Sequence, residues 1–354
     1  MNLDGAKNAK AEVFEKIFRF EETPVAFSPG VSQGSFLPRR GSEVDSRITD
    51  GRRRRELDPV DMIAVGIAVE PGREREVSLA LLLQDKRLLH HPLVEEAVRR
   101  IGDSEVRRIV TGPVMSQSVV NGGRCRPLRI GASVGHVRVS AGSLGCFATC
   151  RREGQLGILS NNHVLADTNG GQAGDLIVQP GVLDGGDHSD ATSHIARLSR
   201  FHPIDFTPGA TNYVDCAFAA LIDDVEHDPN RIGLPSGTVS GCVIGEPEDL
   251  VIDRMAVMKV GRTTGHTRGS VTIVSIDNVT TGYPGYRFAR FDRQVAISGA
   301  TGTFSERGDS GALIVTEDGR PIALLYSGAP HGITYANPIQ AVLDSLSVDI
   351  HTRP

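Results

Sequence analysis

The stretch Phe304-Ser305-Glu306-Arg307-Gly308-Asp309-Ser310-Gly311-Ala312-Leu313 joins a polar, glycine-flanked turn to an apolar run that continues through Ile314 and Val315. A turn feeding a buried strand in this way is expected to leave the Ser310 hydroxyl exposed. Its glycines let neighbouring N–H groups face the same space. Ser310 could then attack an acyl carbon while the N–H groups of Gly308 and Ser310 hold the developing oxyanion. Gly, Asp and Ser are also ordinary turn residues, so Gly308–Gly311 alone leaves a plain turn open. The choice depends on a base and an orienting acid elsewhere in the chain.

Both candidates lie upstream. In Gly157-Ile158-Leu159-Ser160-Asn161-Asn162-His163-Val164, an apolar strand ends in small polar residues and sets His163 at its mouth. In Tyr213-Val214-Asp215-Cys216-Ala217-Phe218, a single acid is expected inside an apolar strand. A buried carboxylate is costly without a partner. An imidazole N–H is a suitable one, because that hydrogen bond fixes the histidine tautomer and stabilises its protonated form.

The order His163, Asp215, Ser310, each in its own context, resembles the trypsin/chymotrypsin-like serine peptidases over about residues 129–350. Asn161-Asn162-His163-Val164 is similar to the histidine motif of bacterial high-temperature-requirement proteases. Gln179-Pro180-Gly181, Val214-Asp215-Cys216-Ala217, Lys259-Val260-Gly261-Arg262-Thr263-Thr264-Gly265 and Ala336-Asn337-Pro338-Ile339 resemble a bacterial intracellular group related to the plant narrow-leaf trypsin-like proteins. The resemblance implies two antiparallel β-barrels and peptide hydrolysis through an acyl-enzyme on Ser310. His163 would serve as general base and acid, Asp215 as the orienting acid, and Gly308 and Ser310 as the oxyanion hole. No cofactor or metal is implied, and the partner would be a protein or peptide substrate.

The same resemblance gives Phe304 the position that floors the specificity pocket. Trypsin-like members carry an acid there, so cleavage after basic residues is not expected. Tyr326-Ser327-Gly328 would pair with the substrate main chain. Val164 stands where secreted animal members carry a bridged cysteine. Arg129-Ile130-Gly131 superficially resembles an activation site that would free the Ile130 amine to pair with Asp309. The upstream segment reads as folded, so Asp309 is expected to find a cation or backbone donors within the chain instead.

The rest of the 354 residues sets the frame. Forty glycines, 19 prolines and no tryptophan point to many turns and short strands. A net charge of −5 offers no basic field for nucleic acid, and no apolar run reaches membrane-spanning length. Five cysteines without a CxxC pair, and no signal-peptide layout, suggest the cytoplasm. Residues 1–57 read as a helix over 11–20, with Val13, Phe14, Ile17 and Phe18 on one stripe, followed by a linker. Residues 58–128 read as a small ββαβ segment. Residues 129–354 read as the peptidase part: barrels over about 129–235 and 236–335, then a helix over about 337–347. The overall class is therefore mainly β. The loop Asp184–Asp190 reads as a solvated turn, and Gly261–Gly265 as a hairpin between barrel strands. Rival functions are a latent peptidase-fold binding or scaffolding module and an esterase using the same residues. A homo-oligomer is compatible with all three.

Overall fold

The computed structural model describes residues 1–23, 35–38, 58–69, 77–112, 115–116, 122–232, 254–329 and 332–352. Contacts divide the chain into two compact units. One joins Met1–Val114 to Asp205–Asn212 and Ile273–Gln294, and the other holds the remainder.

In the first unit the helix Leu3–Glu12 starts at Asn2, whose side chain accepts from the Gly5 N–H. It widens into a π-helical turn over Val13–Ile17, burying Val13, Phe14 and Ile17. The helix thus begins earlier than its apolar stripe suggested. Phe20 instead opens a strand, Phe20–Thr23, because its ring packs 5.6 Å from Phe14 and 5.9 Å from Phe18. That strand pairs with Ser35–Pro38, so the expected linker contains regular structure. Its Arg52–Arg55 run lies outside the described residues.

From Ile63 onward the chain runs strand, strand, helix, strand. Ile63–Val69 and Val77–Leu83 form an antiparallel pair, and Val106–Val110 joins the latter in parallel. Between them, Pro92–Ile101 is helical. Pro92 stands at its start, where a missing N–H costs nothing, and the His91 side chain accepts from the Leu93 N–H. Ile273 and Val274 pair with Ala68 and Ile67. Two ion pairs are buried here: Lys10 Nζ lies 2.8 Å from Asp277 Oδ2, and Arg290 Nη2 lies 2.7 Å from Asp292 Oδ2.

The second unit carries the main apolar cluster. One sheet runs Val348–Ile350, Cys146–Cys150, Leu156–Ser160, Ala217–Leu221, His194–Phe201, Leu176–Val178, Ser133–His136 and Gly142–Ser143. A second set comprises Ala256–Gly261, the antiparallel strand from Gly265, and Leu313–Thr316, Pro321–Gly328 and Ile333–Pro338. The protein is mainly β, with one closed six-stranded barrel and a curled half-barrel, consistent with a chymotrypsin-type double barrel. The helix Ile339–Leu346 buries Ile339, Val342, Leu343 and Leu346 along one face.

Candidate active site

The strand Leu156–Ser160 ends at Asn161, and one helical turn, Asn162–Leu165, follows. His163 is 8% exposed on that turn and Asp215 is fully buried. Asp215 precedes the strand Ala217–Leu221 and so lies outside it, a small correction to its expected place. Outside the ladder its carboxylate can turn towards the histidine. His163 Nδ1 is 2.6 Å from Asp215 Oδ2, and the His163 N–H donates to Oδ1 at 3.2 Å. Two amides fix the acid's backbone. Asn161 Nδ2 donates to the Asp215 carbonyl at 2.7 Å, and Asn337 Oδ1 accepts from the Asp215 N–H at 2.9 Å. Sequence reasoning missed both roles, although each asparagine stands in a stretch that carried the family resemblance.

Ser310 sits in the turn that enters Leu313–Thr316. It is fully buried, contrary to the exposed hydroxyl expected of such a turn, because the turn packs against the first strand set. Ser143 makes the connection. Its N–H donates to the Ser310 carbonyl at 2.7 Å, and its hydroxyl donates to the Gly308 carbonyl at 3.0 Å. Ser160, three residues before His163, donates to the Ser143 carbonyl at 2.7 Å. Gly311, at φ +89°, lies so close that a Cβ there would fall 1.9 Å from Ser160 Oγ. The serine turn is therefore packed against the strand end that leads to the histidine. Gly308 has φ +98°, a left-handed conformation that favours glycine.

Asp309 is fully buried beside Lys259, whose ammonium is 3.2 Å from Oδ2. Backbone N–H groups of Thr263 and Thr264 donate to Oδ1 at 2.8 and 3.1 Å. The Thr264 hydroxyl and the Glu306 N–H donate to Oδ2 at 2.6 and 3.0 Å. The expected internal cation is thus Lys259, reinforced by the Arg262–Gly265 hairpin. Burial pushes the lysine below its usual range, and Asp309 opposes that shift. A lysine in the apolar run Val257–Val260 was the available signal, of the same kind as Asp215. Ile130 is buried within the strand Leu128–Ile130.

The remaining assignments are mixed. Phe304 is fully buried, its ring centroid 5.8 Å from Lys259 Nζ and its carbonyl accepting from Thr267 Oγ1 at 2.7 Å. Tyr326 and Ser327 are buried in the strand Pro321–Gly328. Asp184 is not solvated. Arg262 grips it through Nε and Nη2 at 2.5 and 2.7 Å, and Ser133 donates to it at 2.5 Å. Cys216 is held well above the ordinary thiol range by burial. Among the described residues, no group of three or more His, Cys, Asp or Glu side chains could hold a metal ion. No helix among them is long and apolar enough to cross a membrane.

No protein-family model matches the sequence, and no curated protein does so either. Solved structures with a similar chain trace include Thermobifida fusca protease A, at 15% identity and a TM-score of 0.44. Others are a Nocardiopsis protease, at 17% and 0.45, and Cellulomonas bogoriensis chymotrypsin, at 15% and 0.42. In each case the match covers 64% of this chain and 99% of the other. The likeness is one of chain trace.

Proposed function

We propose that the chain is a serine endopeptidase. The observation that carries this is the 2.6 Å contact between His163 Nδ1 and the buried Asp215 carboxylate. A histidine held so is fixed in one orientation, with Nε2 left to exchange a proton. Ser310 Oγ attacks the peptide carbonyl and passes its proton to His163. Asp215 stabilises the imidazolium, and the N–H groups of Gly308 and Ser310 receive the oxyanion. His163 then protonates the leaving amine, and water attacks the acyl-enzyme with His163 again as base. The substrate is a protein or peptide. With Phe304 at the pocket position, cleavage does not follow basic residues. A reducing cytoplasm suits Cys125, Cys146, Cys150 and Cys216, which are free thiols.

The test is hydrolysis of a mixed peptide library beside a nitrophenyl ester, each with wild type and Ser310→Ala. Serine-dependent cleavage of peptide bonds is expected. Serine-dependent ester turnover without peptide cleavage would establish the esterase reading instead. Full burial of Ser310 favours a second reading, a latent form of the same site.

A further inference from the structure

The strand Pro321–Gly328 is paired on both sides near its C-terminal end. Ser327 and Gly328 face Tyr335 and Thr334 on one side. On the other they face Ser116 and Met115, and this second pairing is also antiparallel. Under the peptidase reading, on which this inference rests, Tyr326–Gly328 is the edge to which a substrate main chain adds as an extra strand. A strand has only two hydrogen-bonding edges. Ile333–Pro338 holds one and Met115–Ser116 the other, so no edge remains for substrate.

We propose that Met115–Ser116 is an intramolecular stand-in for the substrate main chain, holding the site latent until an extended polypeptide displaces it. The segment follows the ββαβ part in the chain, so that part tethers the competitor as well as belonging to the fold. A tethered strand competes at a high effective concentration. Apparent affinity for a peptide is then reduced by the fraction of time the edge is open. A small acylating reagent that needs no strand pairing is not subject to this competition. Full burial of Ser327 fits an edge that is already covered.

The test compares two active-site phosphonates on the full chain. One is a small fluorophosphonate and the other a set of tripeptidyl phosphonates that must pair with the edge. Neighbouring residues of an antiparallel strand point their N–H groups to opposite sides. One of Met115→Pro and Ser116→Pro therefore removes a hydrogen bond to the edge. That variant should react roughly tenfold faster with the tripeptidyl reagents, the value of about one such bond. Its rate with the small reagent should stay within about twofold. Equal rates for wild type and both variants with the tripeptidyl reagents would overturn the proposal while leaving the peptidase reading intact. No labelling of Ser310 by either reagent in any protein would remove the peptidase reading and this proposal together. Hydrogen exchange on unmodified wild type guards against misfolded variants. Amides at Met115 and Ser116 should exchange faster once the tripeptidyl adduct forms. Unchanged exchange would again overturn the proposal.

Discussion

Lys259 lies 3.2 Å from the Asp309 carboxylate, and Asp309 immediately precedes the proposed nucleophile. A buried carboxylate that loses its cation reorganises or takes up a proton. Either change disturbs the turn that carries Gly308 and Ser310, the proposed oxyanion donors. Lys259→Met should therefore cut the rate of fluorophosphonate labelling about 100-fold, the scale of one lost oxyanion donor. Unchanged labelling in the folded variant would sever Lys259 from the site. Burial also lowers the lysine's pKa. The pair needs protonated Lys259, so wild-type labelling should fall as pH rises through a value below the ordinary lysine range. The sign for stability is opposite. Between the lowered folded value and the unfolded one, the unfolded chain binds this proton more tightly, so raising pH across that window favours the fold as far as this group is concerned. A loss of labelling there, with the near-ultraviolet circular dichroism unchanged, reports on the turn rather than on unfolding.

At the level of elements, the serine turn is fitted against the strand end before His163. Gly311 combines φ +89° with no room for a Cβ beside Ser160. Gly311→Ala should cost roughly 3 kcal/mol from backbone strain and overpacking together, read as a lower urea midpoint. A midpoint within experimental error of wild type would refute that packing. The elements themselves were largely legible in the chain. Continuous apolar runs separated by Pro71-Gly72 located the hairpin Ile63–Val69/Val77–Leu83, and the apolar stripe of Ile339–Leu346 located the last helix. The N-terminal helix was displaced because the aromatic cluster of Phe14, Phe18 and Phe20 forms across a helix end and a strand, which a single helical period cannot express. The His163–Asp215 contact was legible because a lone acid in an apolar run demands a partner. The burial of Ser310 and the tie through Ser143 were not, because they depend on two strand sets packing together over residues far apart in sequence.

On the scale of the molecule, the N-terminal segment is built into a core. The sequence alone set residues 1–57 apart as a helix and a linker. The structure buries Val13, Phe14, Ile17, Phe18 and Phe20 in one cluster with Ile63 and Leu81, and seats Lys10 against Asp277. Five such side chains contribute on the order of 10 kcal/mol by burial, comparable to the whole stability of a domain. Deletion of residues 1–57 should therefore unfold the first unit, seen as rapid proteolysis within residues 58–112. Resistance to protease would contradict the account. Lys10→Met should lower stability by roughly 3 kcal/mol, because Asp277 loses its cation in a buried setting; a smaller urea midpoint measures it. The central claim concerns the chemistry. Its most direct test is labelling with a fluorophosphonate of folded wild type, Ser310→Ala and His163→Ala. The account predicts one labelled serine in wild type, assigned to Ser310 by mass spectrometry, and none in either variant. Equal labelling of wild type and His163→Ala, or a label on another residue, would contradict it.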